Sequence, residues 1–203
     1  MGSKNIVAFL FLFVSINVQS QDEEFSGYKG IISSTGTFAT GYNFGFKSMN
    51  YFLQGDLEYY IDDRISVRSD VFYFLGSNTP SDSIEPFKSQ HGLFTGAQYH
   101  FLKGKLDYYA GIQPGLVFGQ RQYSEIDASS PAEQPQKSVA AVFSINTGIN
   151  YYASKFFLLF FQLRYNTGWF SDNYSVASLN EFRASFGLGF YLKVKKHFGP
   201  VPH

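Results

Sequence analysis

The sequence predicts an all-β protein: an eight-stranded antiparallel up-and-down transmembrane β-barrel with short periplasmic turns and longer external loops. Three observations carry that reading. Stretch after stretch alternates apolar and polar side chains, the period of a strand. The connections alternate between tight turns and long polar segments, the asymmetry of a barrel that crosses a membrane. The chain is also poor in charge: only 16% of its 203 residues are charged, against about 25% in a typical soluble domain. Aromatics reach 20%, with 24 Phe and 15 Tyr, where a water-facing surface would need Lys and Glu.

The chain opens with a secretory signal peptide, residues 1–20. Lys4 supplies the positive start, "IVAFLFLFV" at 6–14 the apolar centre, and "VQS" at 18–20 the small-residue cleavage site. That apolar run falls short of the roughly 20 residues a spanning helix needs. "MGSKNI" has Ile6 where a myristoylation site wants Ser or Thr. Residues 21–203 then form the barrel domain.

Its first strand is expected at 28–40, followed by a connection around "GYNFGFKSM". The second, 50–61, places Tyr51, Leu53, Leu57 and Ile61 on one face and Asn50, Gln54, Asp56 and Glu58 on the other. A tight turn "DDR" leads to the third, 65–76, where Ile65, Val67, Val71 and Leu75 oppose Ser66, Arg68 and Asp70. A proline-containing loop precedes the fourth strand, 91–102, which turns at "KGK" into the fifth, 106–122. Pro114 lies in that fifth strand and donates no ladder bond, which predicts a bulge or local break. A long acidic loop separates it from the sixth, 138–152, and "ASK" joins that to the seventh, 156–169. The loop "SDNYSVASL" leads to the eighth, 181–196. There Phe182, Ala184, Phe186, Leu188, Phe190 and Leu192 form one face, and Arg183, Ser185, Gly187, Gly189, Tyr191 and Lys193 the other. Tyr59 and Tyr60, Tyr99, Tyr108 and Tyr109, and Tyr151 and Tyr152 cluster at the three short turns, as an interfacial aromatic girdle would.

These residues resemble the small outer-membrane β-barrel family, the OmpA/OmpX-like membrane domains. "GINYYASKFFLLFFQLRYNTG", 148–168, and "TGAQYHFLKGKLDYYAGIQPGLVFG", 95–119, carry the resemblance, which covers residues 26–198. It implies an outer-membrane protein of a Gram-negative bacterium, of the kind grouped with the porins, in contact with outer-membrane lipid and lipopolysaccharide. The family usually ends on a terminal aromatic. Here Phe198 is followed by "GPVPH".

With the apolar faces toward lipid, the strand charges point into the lumen. Matching Ile61 with Ile65 across "DDR" sets Glu58 opposite Arg68 and Asp56 opposite Asp70, with Arg68 in diagonal reach of a carboxylate. The same argument at "KGK" sets His100 opposite Asp107. Arg164 and Arg183 add positive charge. The expected lumen network is therefore Asp56, Glu58, Arg68, Asp70, His100, Asp107, Arg164 and Arg183. An eight-stranded barrel is just wide enough for side chains to fill it.

The sequence thus predicts a monomeric barrel with a plugged polar lumen, structural or partner-binding through its external loops, with a protein partner at those loops. The alternatives are a small-solute porin of the same fold and a lipid A-modifying enzyme. His100–Asp107 forms two thirds of a triad with no serine placed beside it by sequence, while Ser89 and His91 lie near the external end. The expectation is no enzyme, no cofactor and no metal, since there is no Cys and the four His lack ligand spacing. A formal net charge of zero argues against a nucleic-acid partner held by phosphate neutralisation.

Overall fold

A computed structural model describes residues 27–79, 87–121, 137–171 and 176–193. The signal peptide, Phe198 and most of the acidic loop lie outside them. The strands, numbered in chain order, are β1 (Ile31–Asn43), β2 (Ser48–Tyr60), β3 (Ile65–Asn78), β4 (Phe87–Lys103), β5 (Leu106–Arg121), β6 (Lys137–Tyr152), β7 (Phe157–Ser171), β8 (Val176–Ser178) and β9 (Glu181–Lys193). Each long strand pairs antiparallel with its chain neighbour from β1 to β7, and β9 closes the circle between β7 and β1. The eight long strands are the staves. The three-residue β8, absent from the sequence reading, pairs only with the end of β7 at Trp169, Phe170 and Ser171.

Stepping through ladder partners from Leu158 passes Gly189, Thr35, Asp56, Asp70, Phe94, Gly115 and Val142 and returns to β7 at Gly168. The return point is displaced by ten residues (168 less 158). That stagger tilts the staves and fixes the width at one that side chains can fill.

Alternation decides the faces. Phe38, Leu57, Val71, Ile112, Ile145, Phe186 and Leu188 point outward, and the residues adjacent to them along each strand point the other way, into the barrel. A closed barrel with an apolar exterior and a polar lumen is built for lipid.

The turns 61–64, 104–105 and 153–156 share one end, the turn end. The opposite, loop end differs from expectation in one place: β1 and β2 are joined by only four residues, 44–47. Asn43 makes this possible, its Oδ1 accepting from the Phe46 N–H at 3.0 Å, with Lys47 in a left-handed conformation at φ 52°. Both strands consequently reach further than the sequence indicated. Pro114 produces a break without a bulge. The β4–β5 ladder lapses between Phe94↔Gly115 and Ala97↔Ile112 and resumes in the same register, because one missing N–H removes bonds without adding a residue. The register shifts fall instead at Tyr51/Phe52 and Phe87/Ser89.

The tyrosine girdle is half as large as expected. Tyr59, Tyr99, Tyr108 and Tyr151 face outward, but Tyr60, Tyr109 and Tyr152 are buried in the lumen. Adjacent residues of a strand cannot share a face.

The chain enters β1 along the turn end. Asp63 Oδ1 accepts the Tyr28 and Lys29 amides at 2.8 and 3.0 Å, and Tyr28 Oη donates to the Gly104 carbonyl at 2.5 Å. The Lys29 and Tyr28 amides hold the Asp63 carboxyl below its usual range. A folded-state pKa below the unfolded one stabilises above the ordinary carboxylate value of about 3.9 and is lost as pH falls through the lowered value. Asp63→Asn is therefore expected to speed amide exchange at Tyr28 and Lys29 at neutral pH. Measured against the exchange rate of an unstructured chain at the same pH, the wild type should lose the same protection only on acidification, and wild-type protection that does not change with pH would rule this anchor out.

Candidate functional site

The lumen is where the polar sequence faces meet, and it is layered. At the turn end sits a ring of hydroxyls and a histidine. Tyr60 Oη donates to Asp107 Oδ2 at 2.8 Å and lies 2.9 Å from Tyr152 Oη. His100 Nδ1 is 2.8 Å from the same carboxylate oxygen. The register here corrects the sequence reading: Asp107 pairs with Leu102, and His100 pairs with Tyr109. The turn is only Gly104–Lys105, with Gly104 in the left-handed region at φ 60°. His100 and Asp107 nonetheless meet diagonally, as inward side chains on tilted strands do.

The structure also supplies the serine that the sequence did not place. Ser66 Oγ lies 2.8 Å from His100 Nε2, so Ser66, His100 and Asp107 line up as a triad would. The chemistry runs the other way. Ser66 donates its proton to Glu58 Oε1 at 2.5 Å, and His100 Nε2 faces that same carboxylate at 3.2 Å. The geometry offers an acceptor to each ring nitrogen, and a ring that donates from both has no lone pair with which to take a serine proton. All four side chains are within 2% of complete burial.

The middle layer is an ion-pair chain. Glu58 opposes Arg68, and Asp56 opposes Asp70. The two aspartates would repel, but Arg68 Nη2 bridges them, 2.8 Å from Asp56 Oδ2 and 3.2 Å from Asp70 Oδ1. Thr35 Oγ1 also donates to Asp56, and Gln113 Nε2 donates to Asp70 Oδ2 at 2.7 Å. Arg164 Nη2 takes the other side of Asp70, at 2.8 Å. These charged side chains are at most 1% exposed.

Toward the loop end, Arg164 and Arg183 stand directly opposite on β7 and β9. Their guanidinium groups reach separate carboxylates: Arg164 that of Asp70, and Arg183 that of Glu181, at 2.5 Å from Nε. The Phe72 ring lies beside both, 5.1 and 4.6 Å from their central carbons, and Phe52 covers Arg183 at 3.9 Å. Cation–π contact offsets part of the cost of burying these charges. Above them Phe74, Phe87, Phe170 and Leu179 close the lumen with apolar side chains.

All eight sequence-predicted residues lie in this lumen: seven in two groups joined through Glu58 and Arg68, and Arg183 apart, paired with Glu181 and sharing the Phe72 ring with Arg164. Sequence reasoning missed Ser66, Gln54, Gln113, Glu181 and the buried tyrosines as members. Each but Tyr152, whose strand β6 carries no chosen charge, sits in phase with one, so strand parity alone would have found the others. The phenyl layer ran against expectation, because Phe on a polar face reads as noise until arginines are seen to stack on it. Ser89 and His91 are placed elsewhere: His91 stacks on Tyr73 at 4.5 Å, away from the lumen.

This fold, an eight-stranded closed barrel with a lipid-facing apolar belt and a polar lumen, defines the class of small outer-membrane β-barrels. No family model and no curated protein sequence matches the chain. Among solved structures it is similar to the N-terminal β-barrel domain of Pseudomonas aeruginosa OprF, at 15% identity over 81% of this chain and 98% of that one, with a TM-score of 0.56. It is also similar to the Neisserial surface protein NspA, at 14% identity over 81% and 96%, TM-score 0.56. P. aeruginosa OprG gives 12% identity over 83% and 98%, TM-score 0.58. At these identities the likeness is one of fold, and at that level it bears out the outer-membrane barrel expected from sequence.

Proposed function

We propose that the protein is an integral, monomeric protein of the Gram-negative outer membrane whose lumen is a plug, and that it acts through its outer face: a structural barrel that presents loops to a protein partner or to lipopolysaccharide. The fold supports the membrane assignment. The observation that carries the plug is the Asp56–Arg68–Asp70–Arg164 chain, buried across the middle of the barrel and capped by tyrosines on one side and phenyl rings on the other. Ions would have to break desolvated charge pairs to pass. The same chemistry favours a non-enzymatic role, since the triad-like arrangement directs its serine proton to Glu58.

A second reading, passage of small solutes, draws on one observation. Among the described residues, both polar ends of Gln98 and Asn166, along with Arg164 Nε and Arg183 Nη1, are buried without a hydrogen-bond partner. Buried polar groups in that state are where ordered water belongs.

Single-channel recording separates the two. Protein proven folded by its heat-dependent gel shift is expected to give no conductance steps in a planar bilayer. Reproducible salt-dependent steps would replace the plug with the porin reading and make Arg68, Arg164 and Arg183 the constriction.

A further inference from the structure

The barrel wall is not uniformly closed. β1 and β9 pair from Ile31↔Lys193 to Gly36↔Leu188, lapse over Thr37 and Phe38 opposite Phe186 and Gly187, and resume at Ala39↔Ser185. Thr37 Oγ1 crosses the lapse and donates to the Phe186 carbonyl at 2.5 Å. Over this place the outer surface carries a groove of about 800 Å³. Its floor is Thr37, Gly187 and the ring of the lumen residue Phe160. Its flanks are Phe38, Leu53, Leu159, Phe186 and Leu188. The flanking rings of Phe38 and Phe186 stand 71% and 74% exposed.

The glycines show why the groove exists. Gly187 is required locally: a Cβ there would lie 2.8 Å from Thr37 Oγ1 and 3.1 Å from the Phe160 ring. Gly36 and Gly55 are different. They stand directly opposite each other on β1 and β2. A Cβ on Gly36 would meet nothing within 4 Å, and one on Gly55 only the Thr35 carbonyl oxygen at 3.8 Å. Neither turn geometry nor close approach demands glycine at Gly36 or Gly55, and glycine inside a strand weakens it. What the pair does is leave the lipid-facing surface hollow.

We infer that this groove is a binding site for one acyl chain of a membrane lipid. Gly36 and Leu188 lie near the middle of β1 and β9, at the depth where hydrocarbon is the only solvent. The one side-chain hydroxyl in the floor is already bonded to Phe186, so the occupant needs no polar atom. A flexible chain follows a concave groove that the convex wall of another barrel would bridge. The inference rests on the chain spanning a bilayer, which the heat-dependent gel shift reports independently.

The test uses the full chain in phosphatidylcholine vesicles containing a phospholipid with a diazirine at the end of one acyl chain. After photolysis, adducts are mapped by peptide mass spectrometry. The site predicts at least fivefold more adduct on Thr37, Phe38, Phe186 and Leu188 than on Ile112 and Ile145, outward residues at similar depth on the far wall. Gly36→Leu fills the groove without a steric conflict and is expected to abolish the excess while leaving the gel shift intact. Gly36→Val, a smaller group at the same lining position, serves the same purpose should Gly36→Leu fail to fold. Adducts spread evenly around the belt would overturn the site. So would an excess unchanged in the filled variant.

Discussion

Arg68→Leu is expected to remove about 3–5 kcal/mol from the unfolding free energy of the barrel in lipid vesicles, the cost of breaking a buried ion pair from one side. The magnitude follows from what is left behind. Arg68 is the group that bridges Asp56 and Asp70, two carboxylates set opposite each other on β2 and β3, and it also faces Glu58 at 4.0 Å. Leucine keeps much of the volume but leaves three buried carboxylates with less compensation. Arg164 reaches only the far side of Asp70. Urea titration followed by the fluorescence of Trp169 measures the loss. Arg68→Lys separates charge from geometry: a single ammonium restores the net charge without the planar fork, so it should recover only part of the stability. A loss below about 1 kcal/mol for Arg68→Leu, the ordinary scale of a surface pair, would mean that water or rearranged neighbours carry the network instead.

The second large effect is on the outer wall. Val71 lies at the middle of β3, points outward and is 53% exposed. Val71→Arg puts a guanidinium at the bilayer midplane, where an arginine costs about 2–4 kcal/mol. Ile65→Arg makes the same change on the outward first residue of the same strand, beside the 61–64 turn, where the side chain can reach the interface, so its cost should be clearly smaller. The gradient between the two variants is the readout, from the same titration in vesicles. Equal costs at both positions would mean that depth does not govern the outer wall, and tolerance of Val71→Arg would count against lipid contact there.

Much of the barrel was legible because a strand in a bilayer leaves so few choices. Parity assigned Leu57, Val71 and Leu188 outward and Glu58, Arg68 and Arg164 inward. The requirement that apolar faces match across "DDR" is enough to set Glu58 against Arg68. The same rule failed at "KGK", because a two-residue turn built on a left-handed Gly104 is shorter than the three residues suggested, and register counts every residue. The tyrosine doublets misled for a related reason: a cluster in sequence is split between two faces in space. Ser66 beside His100 could not be seen at all, since it is a diagonal contact across the β3–β4 ladder, where Ser66 pairs with Gln98, and the long proline-containing stretch between those strands gives no turn from which to count their register. The four-residue connection after Asn43 was masked by composition, because Gly, Asn and Lys read as loop whether they form four residues or nine.

The lapse between β1 and β9 also bears on how the barrel is made. Every other pair of staves joins neighbours in the chain. This seam pairs Ile31 with Lys193, so it cannot form until nearly the whole chain is in place, and its loop-closure entropy is the largest of any ladder. The last contact to form thus falls on a ladder that lapses in its middle, as the β4–β5 ladder does at Pro114. The barrel is a sheet that shuts like a clasp with one missing tooth, and sub-global opening that parts two staves without unfolding the rest should begin there.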